Sequence, residues 1–555
     1  MRAQYPRTPH LPWSPGVSAD DVRVVDLGGL RGREVVVTEK LDGENTTLYA
    51  DGMHARSLDS AHHPSRSWVK GLQGRIGSRL PAGRRIYGEN VYARHSIGYS
   101  DLESWFYGFS VWDGDRCLDW DRTVRFLRDV GVPTPPVLWR GVFDERALRK
   151  LHVDTARQEG FVVRTVDGFE RAEFGRRVAK WVRARHVQTD THWMTAPVVE
   201  NGLGPASVLW DVRSGALFDV AELLKVVGVE GDVEPAAVAS GLGGTGDARL
   251  AGVLAAALHR VRRGRVMPLS AGSVGVAVAR RVGDLVGLHR LLHQPFPDDA
   301  RRAGLLRMST AVDLDVLHAV SAAVLADDAG DARDQVAWSA LHAEDVGSFE
   351  RLRSGLRERL GHGRAADRCW AEARDASIRA GRVLDVDEAV AATWRWRSGD
   401  FPCLVHLVGL SGSGKTTFAA GLPDVDVRVS LDDLRDEAGD RADQRANARV
   451  LRDGLDRLDA ALRAGGTVVW DATSLVDQQR SLVHAVARRH DAMVTHAVVL
   501  VDEREVARRN GTRAHPVPPA VLDAQVRRFS PPYPWQAHRT WYVGAAGTVD
   551  DVGEP

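Results

Sequence analysis

Residues 35–49 read VVVTEKLDGENTTLY. Val35, Val36 and Val37 form a β-branched run, and Thr46 to Tyr49 form a second one. Between them lies a polar connection that contains Gly43. Two such runs joined through a glycine predict neighbouring strands. Lys40 stands at the inner end of the first. A buried ammonium is costly, so a lysine there either gives up its proton or faces an anion. An amine held in that way is a candidate nucleophile.

Lysine is rare in this chain. Of 74 basic residues only six are lysine: Lys40, Lys70, Lys150, Lys180, Lys225 and Lys415. Arginine serves where charge alone is wanted, but it holds its proton too tightly to act as an amine nucleophile. A lysine kept against that bias marks chemistry. Lys40, Lys180 and Lys415 each fall inside a motif.

A length of 555 residues predicts about three or four domains. The apolar content of 44% is ordinary for a globular chain. Formal charge is zero, so a nucleic-acid site has to be a local basic groove. Cys117, Cys369 and Cys403 are far apart and fit no disulfide or zinc spacing. The opening residues, MRAQYPRTPHLPWSPG, have no apolar signal core, and no apolar run is long enough to span a bilayer. A soluble, cytoplasmic protein is expected.

Residues 5–16 are a proline-rich arm, expected to be ordered by packing on the first domain. Beyond the Lys40 stretch, Arg56 lies in HARSLDS (54–60), and YGEN (87–90) sets Glu89 at the end of a short strand. WFYGFSVWDG (105–114) alternates aromatics along another strand. EGFVVRT (159–165) and RVAKWVRARHV (177–187) each put a charged group beside a β-type run. Charged residues gathered at strand ends predict a pocket between two sheets.

Lys40-x-Asp42-Gly43, Arg56, YGEN, EGFVVR and Lys180 occur in the order used by covalent nucleotidyltransferases, the superfamily of DNA ligases, RNA ligases and capping enzymes. With Asn45 and the FYGFSV run, residues 30–190 most resemble ATP-dependent RNA ligases of the nick-sealing and RNA-editing type. The resemblance implies that Lys40 attacks the α-phosphate of ATP, giving a lysyl-adenylate and pyrophosphate. It implies nucleotide binding by Glu39, Asn45, Arg56, Glu89, Phe109 and Lys180. Phe109 would stack on adenine, Glu89 would bind the ribose hydroxyls or help orient the basic residues, and Asn45 would hold a phosphate. Arg56 would grip the ribose or the 5′-phosphate of the acceptor strand. Lys180 and a divalent metal held by Glu159 would oppose the charge growing on the phosphate. Phe109 also fits an ordinary core aromatic, because its stretch alternates at strand spacing. The family carries two lysines two apart in the last motif. Here Trp181, Val182 and Arg183 follow Lys180, which leaves Arg183 as second cation one position out of register.

Residues 196–395 are rich in Ala, Leu, Val and Arg. GLGGTGDARL (241–250) reads as a loop. LAGVLAAALHRVRRG (250–264), DLDVLHAVSAAVLADD (313–328), DRCWAEARDASIRAGR (367–382) and VDEAVAATWRWRSG (386–399) show helical spacing. A helical domain, acting as a spacer or RNA-positioning module, is expected. Asp313-x-Asp315 and Asp385-x-Asp387 follow no hydrophobic strand, so they read as helix-cap or solvated carboxylates and not as a phosphatase motif.

FPCLVHLVGLSGSGKTTFAAGL (401–422) is a buried-strand run, a glycine loop and a helix, the context that identifies a P-loop. Gly409, Gly412 and Gly414 let backbone N–H groups face a β-phosphate at a helix N-terminus. Lys415 reaches the β- and γ-phosphates, Thr416 a Mg²⁺ ion, and Thr417 lies beside them. VRVSLDDLRDE (427–437), TVVWDATSL (467–475) and the arginine-rich REVARRNGTRAHPVPPAVLDAQVRRF (504–529) follow. In that order, residues 403–530 resemble phage-type polynucleotide 5′-kinases. The resemblance makes Asp432 the general base and sets Arg435 on the substrate phosphate. It places Arg513 on the transferring phosphoryl group and Asp471 at the metal. Asp433 remains an alternative base.

The expected fold is multidomain α/β: a two-sheet nucleotidyltransferase domain (1–195), a helical middle domain (196–395) and a P-loop kinase with a parallel sheet (396–555). The expected function is RNA end healing and sealing with ATP and Mg²⁺ or Mn²⁺, on RNA with broken ends, broken tRNA being one candidate. The rivals are a DNA nick-repair kinase–ligase, an ATP-dependent sensor of broken RNA, and a small-molecule kinase fused to a nucleotidyltransferase. No barrel of short strands follows Lys180, which argues against the DNA enzyme.

Overall fold

In the computed structural model the valine run becomes strand β1 (Glu34–Lys40) and the threonine run β2 (Glu44–Tyr49). The structure describes residues 2–18, 21–58, 62–184, 197–229, 242–295, 298–346, 349–380, 383, 385–437, 447–513 and 515–553. β1 and β2 are not the paired neighbours that the sequence suggests. With β7 (Val137–Val142), β8 (Gly160–Thr165) and β10 (Val178–Val182), β1 forms an antiparallel sheet in the order β10-β8-β1-β7. β2 joins a second antiparallel sheet with β3 (Gly52–Ala55), β4 (Arg84–Asn90), β5 (Phe106–Asp113), β6 (Arg116–Cys117) and β9 (Phe169–Glu170), in the order β3-β2-β4-β5-β6-β9.

The chain crosses from sheet to sheet at residues 41–43, and local contacts explain why no hairpin forms. Asp42 Oδ2 accepts from Ser96 N at 2.8 Å and Ile97 N at 2.9 Å, which ties the connection to a remote segment. A Cβ on Gly43 would stand 2.5 Å from the Asn90 carbonyl oxygen, so only glycine passes there. Just beyond, the buried Glu44 carboxylate receives Arg66 Nε at 2.7 Å and Arg66 Nη2 as well. Two cores flank the crossing. Val35 and Val37 pack with Phe161, Val163 and Ala179. Leu48, Ile86, Phe106 and Val111 pack with Val69, Leu72 and Ile76 of the helix Ser67–Ile76.

By its contacts the chain divides into two units, Met1–Val226 with Gly243–Leu250, and Val227–Leu242 with Ala251–Pro555. The second contains β11 (Cys403–Val408), β12 (Val427–Ser430), β13 (Thr467–Asp471), β14 (Met493–Val499), β15 (Arg539–Val543) and β16 (Val549–Val552), in the order β12-β13-β11-β14-β15-β16. All pairs are parallel except β15 with β16. The middle region is helical, from Arg263–Val274 to Val386–Ala392. Asp313 and Asp385 are N-caps, as read from the sequence. The glycine-rich stretch is a loop only as far as residue 245. A helix, Gly246–Ala257, begins inside it with Asp247 in its first turn, where a carboxylate opposes the helix dipole. Met267 and Val276 share a core with Val499 and Tyr542, so these helices pack directly on the P-loop sheet. No helix among the described residues is long and apolar enough to cross a membrane.

Candidate active sites

Strand register assembles the first site. Lys40 is the last residue of β1, opposite Gly160, and Thr38 lies opposite Val162. Lys180 on β10 also lies opposite Val162. Side chains two apart share a face, so Thr38, Lys40, Val162 and Lys180 point the same way. They form one wall of a cavity of about 190 Å³. The other sheet supplies Asn45, Glu89 and Phe109, and Arg56 follows β3; Glu39 also lines the cavity. Asn45 and Glu89 are direct cross-strand partners. The structure thus brings together Glu39, Lys40, Asn45, Arg56, Glu89, Phe109 and Lys180.

Lys40 has found its anion. Its Nζ donates to Glu159 Oε2 at 2.5 Å. Burial alone would lower this ammonium, but Glu159, with Glu89 and Asp42 behind it, holds it above the ordinary lysine value. Burial pushes the Glu89 carboxyl up to about 8. Burial and the neighbouring Lys40 charge lower Lys180, while Asp21, 3.9 Å away, partly restores it. Burial raises Glu39, against a 2.9 Å hydrogen bond from Gln158 Nε2.

Two lining groups escaped the sequence reading. Arg164 lines the cavity while donating to the Leu118 carbonyl at 2.8 Å; its motif was read only for Glu159. The N-terminal arm supplies the rest of the wall with Tyr5, Pro6, Arg7 and Thr8. Tyr5 packs against Tyr87, Phe109 and Phe174, with ring centroids 4.9 to 5.1 Å apart. Leu11 N donates to the Lys180 carbonyl and Lys180 N to the Pro9 carbonyl, so the arm runs along the open edge of β10. Arg183, one residue beyond β10, is not among the side chains that line the cavity. It is buried and donates through Nη1 to the Thr155 carbonyl.

The second site lies at the carboxyl end of β11, which stands between β13 and β14. Gly412 and Gly414 have φ of 83° and 99°, a left-handed backbone that favours glycine; Gly409 opens the same loop. Lys415 Nζ donates to the Leu410 carbonyl at 2.7 Å, and burial lowers it to about 8. Thr416 Oγ1 donates to Asp471 Oδ2 at 3.0 Å, while Thr417 is exposed on the same helix. Burial raises Asp471 against that hydrogen bond.

Asp432 and Asp433 now separate. Asp432 acts electrostatically on both Lys415 and Asp471 and pairs with Arg435 at 2.6 Å. Asp433 pairs with Arg428 at 2.5 Å, and Arg428 stands 3.9 Å from Asp471. Arg513 is exposed, with its charge felt at Lys415. The sequence reading missed two contacts from the helices beyond β14. Arg509, in Glu503–Gly511, donates to the Ser413 carbonyl at 3.2 Å. Gln525, in Pro519–Arg528, accepts from Ser411 N at 2.9 Å and donates to Ser411 Oγ at 3.0 Å.

Residues 33–182 match the RNA ligase family. Residues 404–532 match a family described as AAA domain. Together these matches support an ATP-using enzyme. Among solved structures, a chain of the Pnkp1/Rnl/Hen1 RNA repair complex is 22% identical over 23% of this chain and 44% of its own, with a TM-score of 0.21. A Naegleria gruberi RNA ligase mutant with ATP and Mn is 21% identical over 29% and 52%, at 0.23. An unliganded sugar kinase from Janibacter sp. is 19% identical over 26% and 86%, at 0.22. The chain therefore spans about half the length of the repair-complex and RNA ligase chains it matches. No curated protein gives a significant match.

Proposed function

We propose that this protein heals and seals RNA ends with ATP at two separate sites, a ligase domain at 1–195 and a kinase domain at 396–555, with the helical region between. At the first site Lys40 Nζ attacks the α-phosphorus of ATP. One proton leaves the ammonium to give the free amine; an N–P bond then forms, the bond to pyrophosphate breaks, and a second proton leaves the nitrogen, to solvent, to give the phosphoramidate. The AMP then passes to a 5′-phosphate, and a 3′-hydroxyl displaces it to join the strands. At the second site Asp432 takes the proton of a 5′-hydroxyl as that oxygen attacks the γ-phosphorus, with Arg513 against the transferring group and Arg435 on the adjacent phosphate. One site thus makes the 5′-phosphate that the other consumes. Broken RNA in the cytoplasm, with tRNA among the candidates, is the substrate this pairing suits.

The observation that carries the reading is Lys40 in a cavity between two sheets with Glu159, Lys180, Arg56 and Phe109 around it. The donor sets fit Mg²⁺ or Mn²⁺. Glu159, and Thr416 with Asp471, offer the hard oxygens such ions take, and Thr416 and Asp471 already face each other. Such an ion, when bound, supplies positive charge against the reacting phosphates.

The test is incubation with α-labelled ATP followed by denaturing electrophoresis. A labelled protein–AMP adduct, absent from Lys40→Ala, supports the ligase assignment; an adduct unchanged in that variant overturns it. For the kinase, phosphorylation of a 5′-hydroxyl RNA that survives Lys415→Ala rules this P-loop out.

A further inference from the structure

Three histidines behind the P-loop strand have no part in this chemistry. His406 lies on β11 and His496 directly opposite it on β14. Both are fully buried. The helix Asp477–Arg489 packs over the same face and brings His484 to them. Each ring offers one nitrogen, and the three nitrogens lie within 4.8 Å of one another. His484 Nε2 and His496 Nε2 are 2.9 Å apart.

The surroundings make the cluster a costly filler. Leu404, Val483, Ala487 and Val494 pack on this face, and the Nδ1 atoms of His406 and His496 are buried without a hydrogen-bond partner. A buried polar atom left without a partner is destabilising, so apolar side chains would fill the space more favourably. Burial also lowers all three imidazoles, His484 to about 4.

We propose that His406, His484 and His496 form a binding site for a transition-metal dication, zinc first among them. Imidazole suits this class, whereas magnesium takes oxygen ligands. Zn–N bonds of about 2.0–2.1 Å in a tetrahedron set nitrogens about 3.3 Å apart. The His484 Nε2–His496 Nε2 distance of 2.9 Å is near that value, and the three nitrogens lie within 4.8 Å of one another. Ser474 Oγ lies 2.8 Å from His406 Nε2 and is its hydrogen-bond partner. Arg480, Arg488 and Asp477 are the charged side chains that act on His484. Arg480 donates to the Ser474 carbonyl at 3.0 Å and lies 3.6 Å from Asp477. Its charge favours an anionic fourth ligand such as hydroxide, which zinc-bound water becomes near pH 7.

The site's place gives it a consequence. Ser474 has φ of 45°, three residues beyond Asp471, and Gly409 N donates to the Thr473 carbonyl at 3.0 Å. A metal here braces the loop carrying Asp471 against the start of the P-loop.

The experiment uses the full chain, stripped with chelator and loaded with zinc or cobalt chloride. One equivalent of metal retained after gel filtration, tetrahedral Co²⁺ bands, and loss of both in His484→Asn support the site. His484 is only half-buried and lies on the helix, so this variant leaves both strands intact. X-ray absorption at the zinc edge of the unmutated protein gives a reading free of any folding defect. Three imidazole nitrogens at about 2.0 Å support the proposal, and an oxygen shell overturns it. Failure to retain metal, or equal retention by His484→Asn, overturns it as well. Neither result bears on adenylation or on 5′-phosphorylation.

Discussion

Lys40, half-buried, and Lys415, buried, are two lysines with opposite proposed duties and opposite surroundings. The proposed nucleophile must surrender its proton, yet a carboxylate 2.5 Å away holds its ammonium above the ordinary value. The proposed phosphate ligand must keep its proton, yet burial lowers it to about 8 while its Nζ donates to the Leu410 carbonyl. The difference teaches that, on the proposed reading, the incoming triphosphate does separate work at each site. Its anion holds the proton on Lys415, which at about 8 is still mostly charged at pH 7, whereas the pull of Glu159 on Lys40 has to be relieved before the amine can attack.

The largest break in that contrast is Lys40→Arg. It keeps the charge and removes the nucleophile, so adduct formation falls to background while 5′-phosphorylation is unchanged, read by label transfer to protein and to RNA. Next comes the carboxylate pair beside the P-loop. Asp432→Asn lowers kcat of phosphorylation by about 10²–10⁴-fold, the range for a lost general base. Asp433→Asn, which only frees Arg428, costs far less, and equal losses would erase the distinction between them.

Glu44→Ala asks whether the sheet crossing is held by charge. It removes the carboxylate that takes Arg66 Nε and Nη2 and destabilises the first unit, measured by denaturant unfolding. The pH profiles come next. Adduct formation rises with pH through neutrality and beyond, by up to about tenfold per unit, because Lys40 is raised and deprotonation activates it. Nucleotide binding at the P-loop weakens as pH climbs through about 8, where Lys415 loses its charge. The smallest effect is Gln525→Ala, which raises the kinase KM for ATP about fivefold, equivalent to one hydrogen bond of about 1 kcal/mol.

What was legible follows from locality. The valine run, the glycine loop and the caps Asp313 and Asp385 are decided by neighbours in sequence, and each forms where the pattern puts it. Motif order likewise gathers Lys40, Glu89, Phe109 and Lys180, because each sits near the end or along the face of a readable strand. The sheet crossing after Lys40 was hidden, since its causes are Ser96, Ile97 and Asn90, about fifty residues away. Arg509 and Gln525 were lost among the polar residues of an arginine-rich stretch, where only the fold shows which ones meet the P-loop.

The arm along β10 also sets a vulnerability. Its residues 9–16 satisfy backbone groups on the outer edge of the sheet that bears Lys40 and Lys180. A deletion through Leu11 takes away both backbone partners of Lys180, and an unpaired strand edge is a template for association with another chain. A preparation truncated in that way will therefore drift toward aggregates.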